Sequence, residues 1–429
     1  MEILLKGLRL FNPEQNMDIN SDILIKDGII EKIGNVDLSN HSGIKVFDFS
    51  SKVCVPGLYD MHVHLREPGG EDKETVISGS NSAAAGGYTG VACMPNTNPA
   101  IDSAEVVKFI TDRAKDHLVD VNPIGAVTKG RKGDALAPML ELYDAGAVGF
   151  SDDGTAVKTA SLLRNALEYA KMIDSPIIEH CEDESLAGGS MNESSISTEL
   201  GLPSIPTVAE DLIVMRGILL AEYTGGKIHI AHISSKRSVE LVREAKSRGI
   251  DVTAEAAPHH FTLTDECVRA FDTNYKMNPP LRQQKDVDAI IEGLQDGTID
   301  CIASDHAPHS IEDKELEYIY APNGIIGLET QLSLTLTELY HKGKLTLGQV
   351  VEKLAINPRK ILNLEIPQIL EGEIANFTIL DLDIEFKYDI KSSKSRSKNS
   401  PFHGRELKGK SIAVINNSQI YVDGQFQNI

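Results

Sequence analysis

Lys227-Ile228-His229-Ile230-Ala231-His232-Ile233 is an apolar run of strand length, followed by a helical pattern over residues 238–247 and a second strand-like run over 252–256. Strand, amphipathic helix and strand in succession form the unit from which parallel sheets are built. A similar helical segment stands at 102–114, where Asp102 and Glu105 have the spacing of a capping box and Val106, Phe109, Ile110 and Ala114 fall on one stripe. Repeated over roughly 300 residues, such units close into a barrel or open into a doubly wound sheet. The two ends of the chain read differently. Residues 3–10, 23–26 and 29–33 are short strands, the last two flanking the hairpin signal Asp27-Gly28. Beyond Glu365 strands return: Ala375, Phe377 and Ile379 alternate, and 412–415 and 419–422 flank Asn416-Asn417. The expected organisation is an α/β domain over 55–364, with 1–54 and 365–429 pairing into one small β domain. The Lys- and Ser-rich segment 391–398 reads as a solvated loop.

The composition narrows the partners. Among 429 residues, 42 Lys and Arg stand against 63 Asp and Glu, a net charge of -21. That balance opposes phosphate backbones and anionic bilayers, so neither nucleic acid nor membrane is an expected partner. Cys54, Cys93, Cys181, Cys267 and Cys301 show no C-x-x-C spacing, which fits a reducing compartment. The start Met1-Glu2 has no basic-then-apolar pattern, and no apolar run approaches about 18 residues. A cytoplasmic location is expected.

Chemistry gathers where the apolar runs end. In Asp60-Met61-His62-Val63-His64-Leu65-Arg66, side-chain alternation puts Asp60, His62, His64 and Arg66 on one face if the strand continues that far. Two imidazoles there can grip a divalent metal, and the guanidinium can grip a carboxylate at two points. Polar residues also follow apolar runs in Val148-Gly149-Phe150-Ser151-Asp152-Asp153, in Ile177-Ile178-Glu179-His180, at His232, and in Cys301-Ile302-Ala303-Ser304-Asp305-His306. In a barrel the C-terminal strand ends converge on one face. His62, His64, His180, His232, Asp153 and Asp305 then supply four nitrogens and two carboxylates, enough for two zinc ions if one carboxylate bridges. The doublet Asp152-Asp153 leaves two candidates for the bridge. His229 lies off the face of His232 and reads as structural, His259-His260 read as packing, and His306 stands where it can orient Asp305. The combination points to a metal hydrolase acting on an anion.

These residues resemble those of dihydroorotases, in the amidohydrolase superfamily, of the type in which an aspartate replaces the carboxylated lysine between the metals. The resemblance extends through Val55-Pro56-Gly57-Leu58, Met94-Pro95-Asn96-Thr97-Asn98-Pro99, Met277-Asn278-Pro279-Pro280-Leu281-Arg282, Gly327-Leu328-Glu329-Thr330 and Ser400-Pro401-Phe402-His403-Gly404. It implies a TIM-like (β/α)8 metallo-hydrolase barrel with a small β domain from the terminal segments. The implied activity is the reversible, zinc-dependent hydrolysis of the cyclic amide of (S)-dihydroorotate to N-carbamoyl-L-aspartate, in pyrimidine biosynthesis. Carried over by position, it assigns His62, His64, Asp153 and Asp305 to one zinc, and Asp153, His180 and His232 to the other. Asp305 becomes the catalytic proton shuttle. His64, Arg66, Asn96, Asn278, His309 and backbone groups near Asn323-Gly324 become substrate contacts. A homodimer is expected, and a carbamoyltransferase partner is compatible with the resemblance. Two alternatives stand beside it. Another cyclic amidase, of hydantoinase, dihydropyrimidinase or allantoinase type, is set apart by Arg66 and Ser-Asp-Asp. A non-catalytic subunit of a carbamoyltransferase complex would have lost ligands, and all six are present.

Overall fold

Eight parallel strands carry the site: β1 (Leu58–Val63), β2 (Tyr88–Cys93), β3 (Asp120–Pro123, continued by Gly125–Ala126), β4 (Phe150–Ser151), β5 (Ile177–Glu179), β6 (Ile228–Ile230), β7 (Val252–Ala256) and β8 (Cys301–Ile302). The computed structural model that contains them describes residues 2–37, 39 and 43–429. Each strand pairs in parallel with the next. The ring closes where Val63 bridges His306 in parallel and the Ser304 amide donates to the Asp60 carboxylate at 3.1 Å. The fold is therefore the closed (β/α)8 barrel and not the doubly wound sheet. Tyr59, Met61, Ala92, Met94, Ile178 and Ala303 belong to one apolar cluster, while a larger one packs the sheet against its helices.

The helix Lys236–Ser247 shows why the repeating pattern was readable. Ser235 caps it, accepting from the Ser238 amide at 3.2 Å, and Val239, Val242 and Ala245 are buried at helical spacing. The strand before it is shorter than its apolar run: only Ile228–Ile230 stay in the ladder, and His232 leaves it with φ +31°. The helix at 104–114 corrects two expectations. Its cap position is Ser103, without a side-chain cap bond, and Asp102 instead accepts from the Gly130 amide at 2.7 Å. Its buried stripe is Val107, Ile110 and Ala114, three positions at helical spacing, which leaves Phe109 38% exposed.

The terminal segments form one mixed sheet. Its order runs Gln425–Asn428, Gln419–Val422, Glu406–Asn416, Phe377–Lys387, Val53–Pro56, Glu2–Asn12, Met17–Lys26 and Ile29–Ile33, with Lys45–Asp48 beside Glu2–Asn12. Val53–Pro56 joins the two ends, parallel to Glu2–Asn12 and antiparallel to Phe377–Lys387. The segment 391–398 is not a solvated loop. Ser393, Ser395 and Ser397 are buried while Lys394 and Arg396 point outward. The inward hydroxyls are tied to the barrel: Ser393 donates to Glu329 at 2.7 Å, Ser395 to Glu74, and Ser397 to the Lys73 carbonyl at 2.7 Å. Two carboxylates, buried Glu74 and half-buried Glu329, thus hold a strap whose composition alone looks soluble. No helix among the described residues is long and apolar enough to cross a membrane.

Candidate metal centre

The centre can be built from hydrogen-bond roles alone. Asp153 is buried and its oxygens accept only; it takes a bond from Asn96 Nδ2 at 3.0 Å. That turns the Asn96 oxygen toward His64, whose Nδ1 donates to it at 2.9 Å, so His64 Nε2 is a bare lone pair. This lone pair faces Asp305 Oδ1 at 3.0 Å and Asp153 Oδ2 at 3.7 Å. His62 repeats the arrangement. Its Nδ1 donates to Glu255 Oε1 at 2.5 Å, leaving Nε2 opposite Asp153 Oδ1 at 3.4 Å and Asp305 Oδ1 at 3.6 Å. Buried His62 Nε2 and Asp153 Oδ1 have no hydrogen-bond partner. Acceptors that face acceptors in a buried site need a cation between them.

On the other side of Asp153, His180 Nδ1 and His232 Nε2 lie 2.9 Å apart and 3.7 and 3.8 Å from Asp153 Oδ1. Two donor triads result, His62–His64–Asp153 and Asp153–His180–His232, each with its ligand atoms within 4.8 Å of one another and sharing Asp153. Asp305 adds its carboxylate to the first. The donor chemistry, imidazole nitrogen and carboxylate oxygen, fits divalent zinc. Asp152 points elsewhere: its oxygens take the amides of Val127 and Thr128 at 3.0 Å and the Thr128 hydroxyl at 2.5 Å. Of the doublet, only Asp153 faces the imidazoles.

Electrostatics agree. Protons on the imidazoles can stand in for that cation: burial would raise both aspartates, yet a charged His62 and hydrogen bonds from protonated neighbouring imidazoles would hold Asp153 well below the carboxylate range and Asp305 at about 2. Burial likewise opposes charge on His180, but Asp153 and Glu182 push it up to about 10. The centre thus holds negative charge that protons or metal cations can neutralise, and the two compete. Non-glycine residues with left-handed backbone also cluster here: Arg66 at φ +61°, His232 at +31° and Asp305 at +47°. Each costs conformational energy that the surrounding barrel must offset, a pattern common at active sites.

A cavity of about 380 Å³ opens over the centre, and Arg66, Asn96, Asn278, His309 and Asn323 line it. The Arg66 side chain is not carried there by strand alternation. The strand ends at Val63, and Arg66 Nε donates to the Pro308 carbonyl at 3.1 Å. Burial lowers the guanidinium to about 10, so it stays cationic at neutral pH, and among the described residues it has no carboxylate in ion-pair contact. His309 Nε2 donates to the Asn323 carbonyl at 2.8 Å; burial, then Arg66 and Lys314, push its ring down to about 3, so it is neutral. Asn278 Nδ2 donates to Glu182 at 3.0 Å. Gly324 lies behind the wall, its amide donating to the Lys276 carbonyl at 2.9 Å and its oxygen accepting from Asn399 at 3.0 Å. With φ +154° and a would-be Cβ 2.6 Å from the Ala307 oxygen, it is a packing point and not an open backbone contact.

Across its length the chain matches known proteins. A family profile described as dihydro-orotase-like covers residues 51–238. A dihydroorotase of Geobacter sp. (strain M21) is 50% identical over 422 residues, spanning 98% of this chain and 99% of its own. The chain belongs to the dihydroorotase family. A dihydroorotase of Acetivibrio thermocellus is 49% identical over 423 residues, with 98% and 99% of the two chains covered. Among solved structures, an L-hydantoinase (dihydropyrimidinase) from Arthrobacter aurescens is similar with a TM-score of 0.85 at 27% identity, covering 100% of this chain and 97% of that one. A D-hydantoinase with a TM-score of 0.85 at 22% identity shares the fold.

Beside these candidate residues stand three that sequence reading passed over. Glu255 accepts from His62 Nδ1, from His229 Nε2 at 3.2 Å and from the His232 amide at 3.2 Å, so His229 acts on the centre through it. A glutamate inside the buried strand Val252–Ala256 was the available signal, since a charge there needs partners. Arg131 donates to the carbonyls of Asp152, at 3.3 Å, and Asp153. Glu182 lies 3.6 Å from His180 Nε2. His259 and His260 are buried outside the two triads, and His306 Nε2 faces Glu74 at 3.3 Å.

Proposed function

We propose that the protein catalyses the reversible hydrolysis of the cyclic amide of (S)-dihydroorotate to N-carbamoyl-L-aspartate with two zinc ions per chain. One observation carries the reading: a half-buried guanidinium, Arg66, with no carboxylate in ion-pair contact among the described residues, faces the same cavity as two donor triads that share Asp153. Such a cation invites an anionic substrate group, and the planar fork of arginine suits the ring carboxylate of dihydroorotate. Identity near 50% with dihydroorotases over nearly the whole chain supports the same substrate.

When bound, zinc polarises a carbonyl and brings the pKa of water from near 16 to about 7. The chain's own part is then positional and acid-base. Arg66 would take the ring carboxylate, with neutral His309 and Asn96 beside it, while Asn278 and the Asn323 loop would bound the ring. As water's oxygen bonds to the amide carbon, Asp305 Oδ would accept the proton and return it to the ring nitrogen as the C–N bond breaks. His64 and Asp305, whose Nε2 and Oδ1 lie 3.0 Å apart, would both help hold one zinc, and that shared role would fix the carboxylate. The reverse sequence closes the ring.

Arg66→Lys keeps the charge and loses the two-point grip, so kcat/KM for dihydroorotate should fall by about 10- to 100-fold with zinc content unchanged. Dihydrouracil, which lacks the carboxylate, should be a poor substrate for parent and variant alike. Parental efficiency in the variant, or fast dihydrouracil turnover by the parent, would favour a hydantoinase-type amidase. We further propose a homodimer, supported by the apolar outer face of the helix Val208–Thr224, and a cytoplasmic location, supported by five free cysteines. A carbamoyltransferase partner is compatible with this assembly.

A further inference from the structure

Asn399 lies in the C-terminal segment, outside the barrel's strand-end motifs, yet its side chain is only 3% exposed and every polar atom of it serves the rim of the substrate cavity. Its Oδ1 accepts from the His309 amide at 3.0 Å. Its Nδ2 donates to the Ala307 carbonyl at 2.9 Å and to the Gly324 carbonyl at 3.0 Å. Its main-chain oxygen accepts from the Ile326 amide at 3.0 Å. Two carbonyls that face one point repel unless a group with two protons stands between them, and a primary amide supplies both while keeping an acceptor for the third contact. Aspartate has the shape but neither proton.

The consequence reaches the imidazole of His309. Asn399 fixes the backbone from which that ring projects, and through Gly324 it fixes the loop whose Asn323 carbonyl accepts from His309 Nε2. Asn399 is itself anchored, because the strap before it is bound to Glu74, Glu329 and the Lys73 carbonyl. We propose that Asn399 is a positioning residue for the substrate's carboxylate end: it sets His309 and the Asn323 loop, and leaves the metal centre alone. This rests on the reading of His309 as a substrate contact.

The test is a double-mutant cycle in kinetics, with zinc content and thermal melting on each sample. Asn399→Ala and Asn399→Asp should each raise KM for dihydroorotate by about tenfold or more, the cost of lost buried hydrogen bonds. In the same variants kcat should stay within about threefold, and zinc per chain should be unchanged. In a His309→Ala background, Asn399→Ala should add less than about twofold, since its effect passes through the missing ring. An Asn399 effect that multiplies with that of His309→Ala, or no KM change in the Asn399 variants while His309→Ala raises it, overturns the proposal. Should His309→Ala itself leave KM alone, the substrate reading of His309 fails and the proposal with it. Loss of a cooperative melt in both Asn399 variants and in the milder Asn399→Ser would assign the residue to folding and overturn it as well.

Discussion

A bare lone pair is the unit from which this site is made. His62 and His64 each spend Nδ1–H on a neighbour, Glu255 or Asn96, so Nε2 is left for a metal. The candidate ligands are legible in the sequence because each lies at or just beyond the end of an apolar run. Glu255 is not, since period and composition give no sign of what a buried charge pairs with. Its replacement Glu255→Gln keeps the volume and removes the charge that orders His62 and His229. Zinc affinity measured by chelator competition should fall by about 10- to 100-fold. An unchanged affinity would mean that the barrel alone sets the His62 tautomer.

The elements differ in how far local pattern fixed them. Val252–Ala256 and Ile29–Ile33 have the bounds that their alternation and hairpin signal suggest. Residues 391–398 do not behave as their composition suggests, because the carboxylates that bury their serines, Glu74 and Glu329, are remote in sequence. The helix Val208–Thr224 carries apolar residues on its outer side as well: Val208, Leu212, Met215, Leu219 and Tyr223 recur at helical spacing and are 41% to 72% exposed. Such a stripe is a contact face more often than a solvent face. Sedimentation equilibrium should therefore give a dimer for the parent and a monomer for Leu212→Glu/Leu219→Glu, with little change in melting because these side chains lack core contacts. A monomeric parent would count against the homodimer.

At the scale of the whole molecule, the barrel converts dispersed sequence into one centre. Five strand ends deliver the six predicted ligands: β1 gives His62 and His64, and Asp153, His180, His232 and Asp305 follow β4, β5, β6 and β8. That convergence was readable from the repeated strand-helix units. The rim was less so, because Asn399 comes from the terminal segment and its contacts depend on how the strap docks. In the proposed reaction, two cations that share Asp153 as a ligand would support hydrolysis of dihydroorotate. Chelator-treated protein titrated with zinc, with bound metal and dihydroorotate hydrolysis read on the same sample, tests it most directly. Hydrolysis should climb to a plateau at about two equivalents per chain, as four imidazoles and two carboxylates exceed one tetrahedral site. A plateau at one equivalent, or full hydrolysis with none, would contradict it.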